Sequence, residues 1–299
     1  GVTIAGDIAT PVDPFAVLAP ADSSQYQAFN LSLGALAPGG VIAVDVESGN
    51  TLSSAADASL AGVLIQNSNL LFSDNAAVPS SRFSVLSDQL LIQNSFINTF
   101  AVLQPTEISL RSLSNTWLLG SVLQTTTAVA ADAGDIRIAQ QYQQTGGLVS
   151  SRVLDLGEPT GNTGNIIFGG SASLPMSEFL LQQGRIQTTG TGLSNAGDVV
   201  LLVAGELSLI GDSGNRAFIA SITDGFGDAG DIILFGDRIS AEYADVFSNG
   251  SNFSGPGLIS LQAGAGGLSL HNTSLLGAFN AGVGASLPCF QRVMFAIQC

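Results

Sequence analysis

Asp135, Asn165, Asp198 and Asp231 recur along this chain in one local setting, each preceded by glycine and followed by Ile or Val. Carboxylates at regular spacing can ligate a hard cation. Asp224, Asp228 and Asp231 also crowd one glycine-rich stretch, so calcium is the candidate metal. Calcium wants roughly six to eight oxygens, and no stretch matches the EF-hand loop or the nonapeptide calcium repeat. The competing role for such residues is to cap a chain corner by accepting backbone N–H bonds. Capping is the expectation here, and no cofactor is expected.

Other chemistry finds little footing. Glycoside hydrolysis needs two carboxylates facing each other across a groove, yet Glu158, Glu178, Glu206 and Glu242 stand singly. Lyase chemistry wants a base to take a proton. Lysine is absent, the eight Lys+Arg residues all being arginine, and His271 is the single histidine, reading as a surface residue. No Ser-His-Asp order, P-loop or dinucleotide fingerprint occurs; Gly225-Phe226-Gly227 is a turn and opens no helix. No catalytic residue is therefore assigned, and the chain is not expected to be an enzyme. Cys289 and Cys299 do not read as a zinc site, since His271 is the only histidine and no cluster is there to complete one. A terminal disulfide between them is the preferred reading, with free or intermolecular thiols as the alternatives.

The composition sets limits on partners. Twenty-three carboxylates against eight cations give a net charge of −15, which repels phosphate backbones and argues against nucleic acid. Charged residues make up only 10 % of the 299, while hydrophobic residues reach 45 % and glycine numbers 36. A surface of hydroxyls and amides over ample Val, Ile, Leu and Phe suits short strands and tight turns, and suits helices badly. No apolar run approaches the roughly 20 residues of a membrane-spanning helix. The chain opens at Gly1 without a basic leader, as after removal of a signal or as a piece of a longer polypeptide.

The elements that must hold these residues follow from the period. From Gly134 through Gly164, Gly197 and Gly230 to Gly257 the steps are 30, 33, 33 and 27 residues. Each unit divides into three apolar-alternating stretches, in one case residues 199–203, 207–210 and 217–222, with Gly, Asp and Asn at the corners. Three strands in so few residues leave no room for crossover helices. The expectation is an all-β, single-stranded parallel β-helix, a solenoid whose like strands stack into three long sheets. A propeller would need a fourth strand per unit. Leu64-Ile65-Gln66-Asn67-Ser68 and Leu91-Ile92-Gln93-Asn94-Ser95 are near-identical and 27 residues apart, so Asn67 and Asn94 should stack. With Asp135, Asn165, Asp198 and Asp231 they are expected to form structural ladders rather than sites.

Ser194-Asn195-Ala196-Gly197-Asp198-Val199 followed by Leu207-Ser208-Leu209, and Gly227-Asp228-Ala229-Gly230-Asp231-Ile232, resemble the repeats of filamentous haemagglutinin-like exoproteins. The likeness is to the cyanobacterial-type members exported by two-partner secretion and is clearest from about residue 130 to 285. The resemblance implies a right-handed β-helix, a secreted or cell-surface location in a bacterium, and a role in adhesion or surface fibres. On this reading residues 1–30 are an extended segment serving as cap or inter-subunit strand, 31–286 the β-helix, and 287–299 a cap. Expected partners are further copies joined head to tail and surface or matrix glycans. The alternatives are a polysaccharide lyase or glycosidase on the same scaffold, or a passive glycan-binding rod.

Overall fold

The computed structural model describes residues 82–154, 161–170, 175–251 and 254–279 throughout. Outside these it describes the strands Val2–Ala5, Ile8–Ala9, Leu31–Gly34, Ile42–Val46, Leu52–Ser54, Gly62–Gln66, Asn69–Ser73 and Met294–Ile297. The fold is a parallel β-solenoid, all-β and without a helix among the described residues. Phe83, Ile108, Ile136, Ile166, Val199, Ile232 and Ile259 stand one above the next, six turns of 25 to 33 residues.

Each turn visits three faces. In one turn these are Val199–Leu202, Glu206–Ile210 and Ala217–Thr223. The third face is a separate sheet of nine strands, about 38 Å from end to end at ~4.8 Å per strand. The first two faces do not form separate sheets as the sequence suggests. They merge into one bent sheet, because strands such as Glu107–Leu119 and Ile232–Glu242 run unbroken around the first corner. The bend is made by register shifts between Arg111 and Asn115 and between Gly236 and Arg238.

Alternation explains the core. Along each face every second side chain points inward, giving stacked rows such as Ile97, Leu123, Val149, Ile186, Ile219 and Val246 on the third face, all buried. Midway, Tyr142, Phe168 and Phe179 fill the interior with ring centroids 4.8 to 5.5 Å apart. Such contacts add about 0.5–1.5 kcal/mol per pair beyond area burial.

The N-terminal part departs from a simple solenoid. Leu31–Gly34, Ile42–Val46 and Leu52–Ser54 form an antiparallel meander attached to Arg82–Gln93 at the first face. Val2–Ala5 and Ile8–Ala9 pair in parallel with Gly62–Gln66 and Asn69–Ser73, extending the second and third faces. In the N-terminal copy of the motif, Ala5 therefore lies on the second face and Ile8 on the third. Its namesakes at 133–136, 196–199 and 229–232 join the third face to the first. At the other end Met294–Ile297 adds a strand to the first face beyond Ile259–His271.

Candidate functional site

The motif residues converge on the corner between the third and first faces, where each turn begins its next circuit. Glycine is required there by proximity. A Cβ at Gly164, Gly197 or Gly230 would lie well inside van der Waals contact of the carbonyl oxygen of Gly134, Gly164 or Gly197 in the turn beneath. The following residue holds the next turn. Asp135 Oδ1 accepts from Asn165 N–H, Asn165 Oδ1 from Asp198 N–H, Asp198 Oδ1 from Asp231 N–H, each at 2.8 Å. Asp231 Oδ1 ends the column on Leu258 N–H at 2.7 Å.

A second column runs three residues upstream. Asp132 accepts from Asn162 N–H at 2.6 Å, Asn162 from Asn195 at 3.0 Å, Asn195 from Asp228 at 2.8 Å and Asp228 from Gly255 at 2.6 Å. This second column was legible only in fragments, since two of its members, Asn195 and Asp228, stand inside the recognised repeats.

Behind both columns lies a third feature that the sequence reading did not single out. Thr99, Thr125, Ser151, Thr188, Ser221 and Ser248 stack in register on the inside of the third face, all fully buried. Their hydroxyls tie strand to corner. Thr125 Oγ1 donates to Gly134 O at 2.6 Å and Thr188 Oγ1 to Gly197 O at 2.6 Å. Ser221 Oγ donates to Gly197 O at 3.1 Å and accepts from Gly230 N–H at 2.8 Å; Ser248 does the same between Gly230 O and Gly257 N–H. Ser151 Oγ takes Gly164 N–H at 2.8 Å, while Gly197 N–H is held by Thr163 Oγ1. The available signal was an apolar-x-Ser/Thr triplet within each third strand, from Ile97-Asn98-Thr99 to Val246-Phe247-Ser248.

The calcium candidates divide between the corner columns and the open surface. Asp228 and Asp231 face backbone donors on the next turn, and Asp224 is exposed. Among the described residues no group of three His, Cys, Asp or Glu side chains comes together in a way that could hold a metal ion. Asn67 and the cysteines Cys289 and Cys299 lie outside the described residues. Asn94 belongs to another corner, between the second and third faces, where it takes a left-handed φ of 47°. Gly120 at 57°, Gly146 at 63°, Gln183 at 53°, Tyr243 at 47° and Asn272 at 48° occupy that corner in other turns. Directly above Asn94 stands Gly120, its N–H donating to Thr145 O as Asn94 N–H donates to Leu119 O. Local αL preference accounts for asparagine there.

His271 is exposed at the same corner, edge-on to Tyr243 at 6.4 Å. Glu178 accepts from Gln141 Nε2 and Glu206 from Ser208 Oγ, both on the outside of the second face. Asp212 titrates below the ordinary aspartate range, because Asn215 and Gly214 N–H groups donate to its carboxylate.

One cleft of about 440 Å³ opens beside the corner columns, lined by Thr106, Glu107, Asp132, Asp135, Arg137 and Asn165 among others. Arg137 Nη2 lies 2.6 Å from Asp135 Oδ2 and its Nε 3.9 Å from Glu107 Oε1, in a half-exposed pair of the kind that contributes little to stability. Compared with family models, curated proteins and solved structures, the chain matches none.

Proposed function

We propose that the chain is a structural or adhesive rod of the filamentous haemagglutinin type, secreted to the cell surface or beyond, and not an enzyme. The observation that carries this reading is the use made of the motif residues. Asp132, Asp135, Asp198, Asp228 and Asp231 and the three asparagines between them spend their Oδ1 atoms on binding turn to turn. The most repetitive chemistry of the chain thereby builds length, and its outer faces are left for contact.

The partners in this reading are surface or matrix glycans and further copies of the chain. Val2–Ala5 pairs with Gly62–Gln66 of its own chain, and the same pairing made with a neighbour would exchange the segment between copies. Electron microscopy of the purified protein tests this, with short rods or head-to-tail fibres expected. Fibres that persist after deletion of residues 1–20 would sink the exchange.

The cleft at Glu107, Asp132, Asp135 and Arg137 favours a second reading, a polysaccharide lyase or glycosidase. Incubation with pectin and alginate, with and without calcium, separates the two. Release of reducing ends or of unsaturated products would overturn the structural reading.

A further inference from the structure

The outer surface of the second face carries a feature unlike the rest of the rod. Three adjacent strands present nine outward positions in register: Gln89, Leu91 and Gln93; Asn115, Trp117 and Leu119; Gln141, Gln143 and Thr145. Each is partly or fully exposed. Strand spacing and same-face spacing make the grid about 10 Å by 13 Å. Trp117, the single tryptophan of the chain, stands at its centre. Its indole N–H donates to Gln143 Oε1 on the adjacent strand at 3.2 Å, which orients the ring toward the sheet surface rather than away from it.

The chemistry of the nine is selective. Five carboxamides and a hydroxyl supply donors and acceptors at fixed spacing, and none of the nine bears a charge. An aromatic ring amid amides on a flat, rigid sheet matches a sugar, whose C–H face stacks on the ring while its hydroxyls bond the amides. A chain of net charge −15 disfavours uronate or sulfate polymers. The neutral grid lacks the guanidinium groups that would recognise them.

We propose that this grid binds a neutral polysaccharide lying across the strands, with Trp117 as the stacking platform and Gln89, Gln141 and Gln143 as hydrogen-bonding partners. The site deepens the adhesive reading by naming the class of glycan, and it does not depend on fibre formation. A failure here would leave the microscopy test of rods and fibres, and its expected outcome, untouched.

Because Trp117 is the sole tryptophan, its fluorescence reports on the site directly. The full chain is titrated with hydroxyethyl cellulose, with polygalacturonate as the anionic comparison. The expected result is a blue shift and saturable intensity change with the neutral polymer and none with polygalacturonate. In affinity electrophoresis, Trp117→Ala should weaken retention by hydroxyethyl cellulose about thirtyfold, the loss typical of a central aromatic contact. Gln143→Glu leaves the ring in place but adds a charge, and should also weaken retention while unfolding at the same temperature as the parent. No emission change with the neutral polymer, preference for polygalacturonate, or undiminished retention of both variants would each overturn the proposal.

Discussion

At the scale of single residues the corner columns need an oxygen and do not need a charge. Asn165 stands in the same column as Asp135, Asp198 and Asp231 and makes the same bond at the same 2.8 Å. Asp198→Asn should therefore change stability by no more than about 0.5 kcal/mol. Asp198→Ala leaves Asp231 N–H without its acceptor and should cost about 1–2 kcal/mol. Denaturant titration of the two variants side by side decides this, and an equal loss in both would show that the carboxylate charge itself matters. Ser221 makes the complementary case from inside. Its hydroxyl is wholly buried and bridges Gly197 O to Gly230 N–H. Ser221→Ala leaves Gly230 N–H without its acceptor in the core, while Gly197 O keeps its bond from Thr188 Oγ1, with an expected loss of about 1–3 kcal/mol by the same titration.

At the scale of elements, Ile136–Thr145 carries a polar pair through the core, Tyr142 Oη donating to Gln144 Oε1 at 2.9 Å, with both side chains fully buried. Burial raises the Tyr142 hydroxyl well above its ordinary value near 10. Unfolding would free that proton at ordinary tyrosine pH. Stability from the neutral hydroxyl is thus complete below about pH 10 and is lost as pH rises toward the folded value. Tyr142→Phe keeps the ring against Phe168 and Phe179 but orphans Gln144 Oε1, so it should cost about 1–2 kcal/mol at neutral pH. In alkaline denaturation the variant should decline less steeply above pH 10 than the parent; parallel curves would refute the assignment. This element also marks the limit of sequence reading. Face-forming stretches such as 199–203 and 207–210 were legible because period-two alternation survives in them. The Gly-Asp corners were legible because close packing leaves glycine no substitute. The merging of the first two faces was not, since a bulge at Gly236–Arg238 looks in sequence like any other glycine turn. Nor was Gln144, a polar residue at a core position that only its neighbours Tyr142 and Gly146 explain. Trp117 and its amides fell outside the reading for a related reason. They become one surface only when three strands separated by a full turn are laid side by side.

At the scale of the whole molecule, a solenoid's stability is close to a sum over turns and their interfaces, so protection should vary along the rod. The central turns have every tie at once. Residues 136–249 hold the aromatic trio, the middle of both corner columns and most of the hydroxyl row. Toward the C-terminal end the ties thin out. The corner columns stop at Gly255 and Leu258, where no side-chain oxygen continues the chain of acceptors. Leu270 is 37 % exposed there, whereas Leu209 and Ala241, the equivalent residues in the two turns before, are at most 2 % exposed. Residues 267–271 pair with Ile232–Glu242 on one side, and among the described residues no strand pairs with their other side. Native-state hydrogen exchange should therefore find amides of residues 148–153 and 217–223 opening only with the global transition, while those of 267–271 exchange through local fraying at least tenfold faster, a free-energy gap of about 1.4 kcal/mol or more. If self-association covers that edge, raising the protein concentration should slow exchange at 267–271 and leave the central turns unchanged. Uniform protection along the rod, independent of concentration, would instead make the solenoid a single cooperative unit and remove the open edge as a place for a second copy to add.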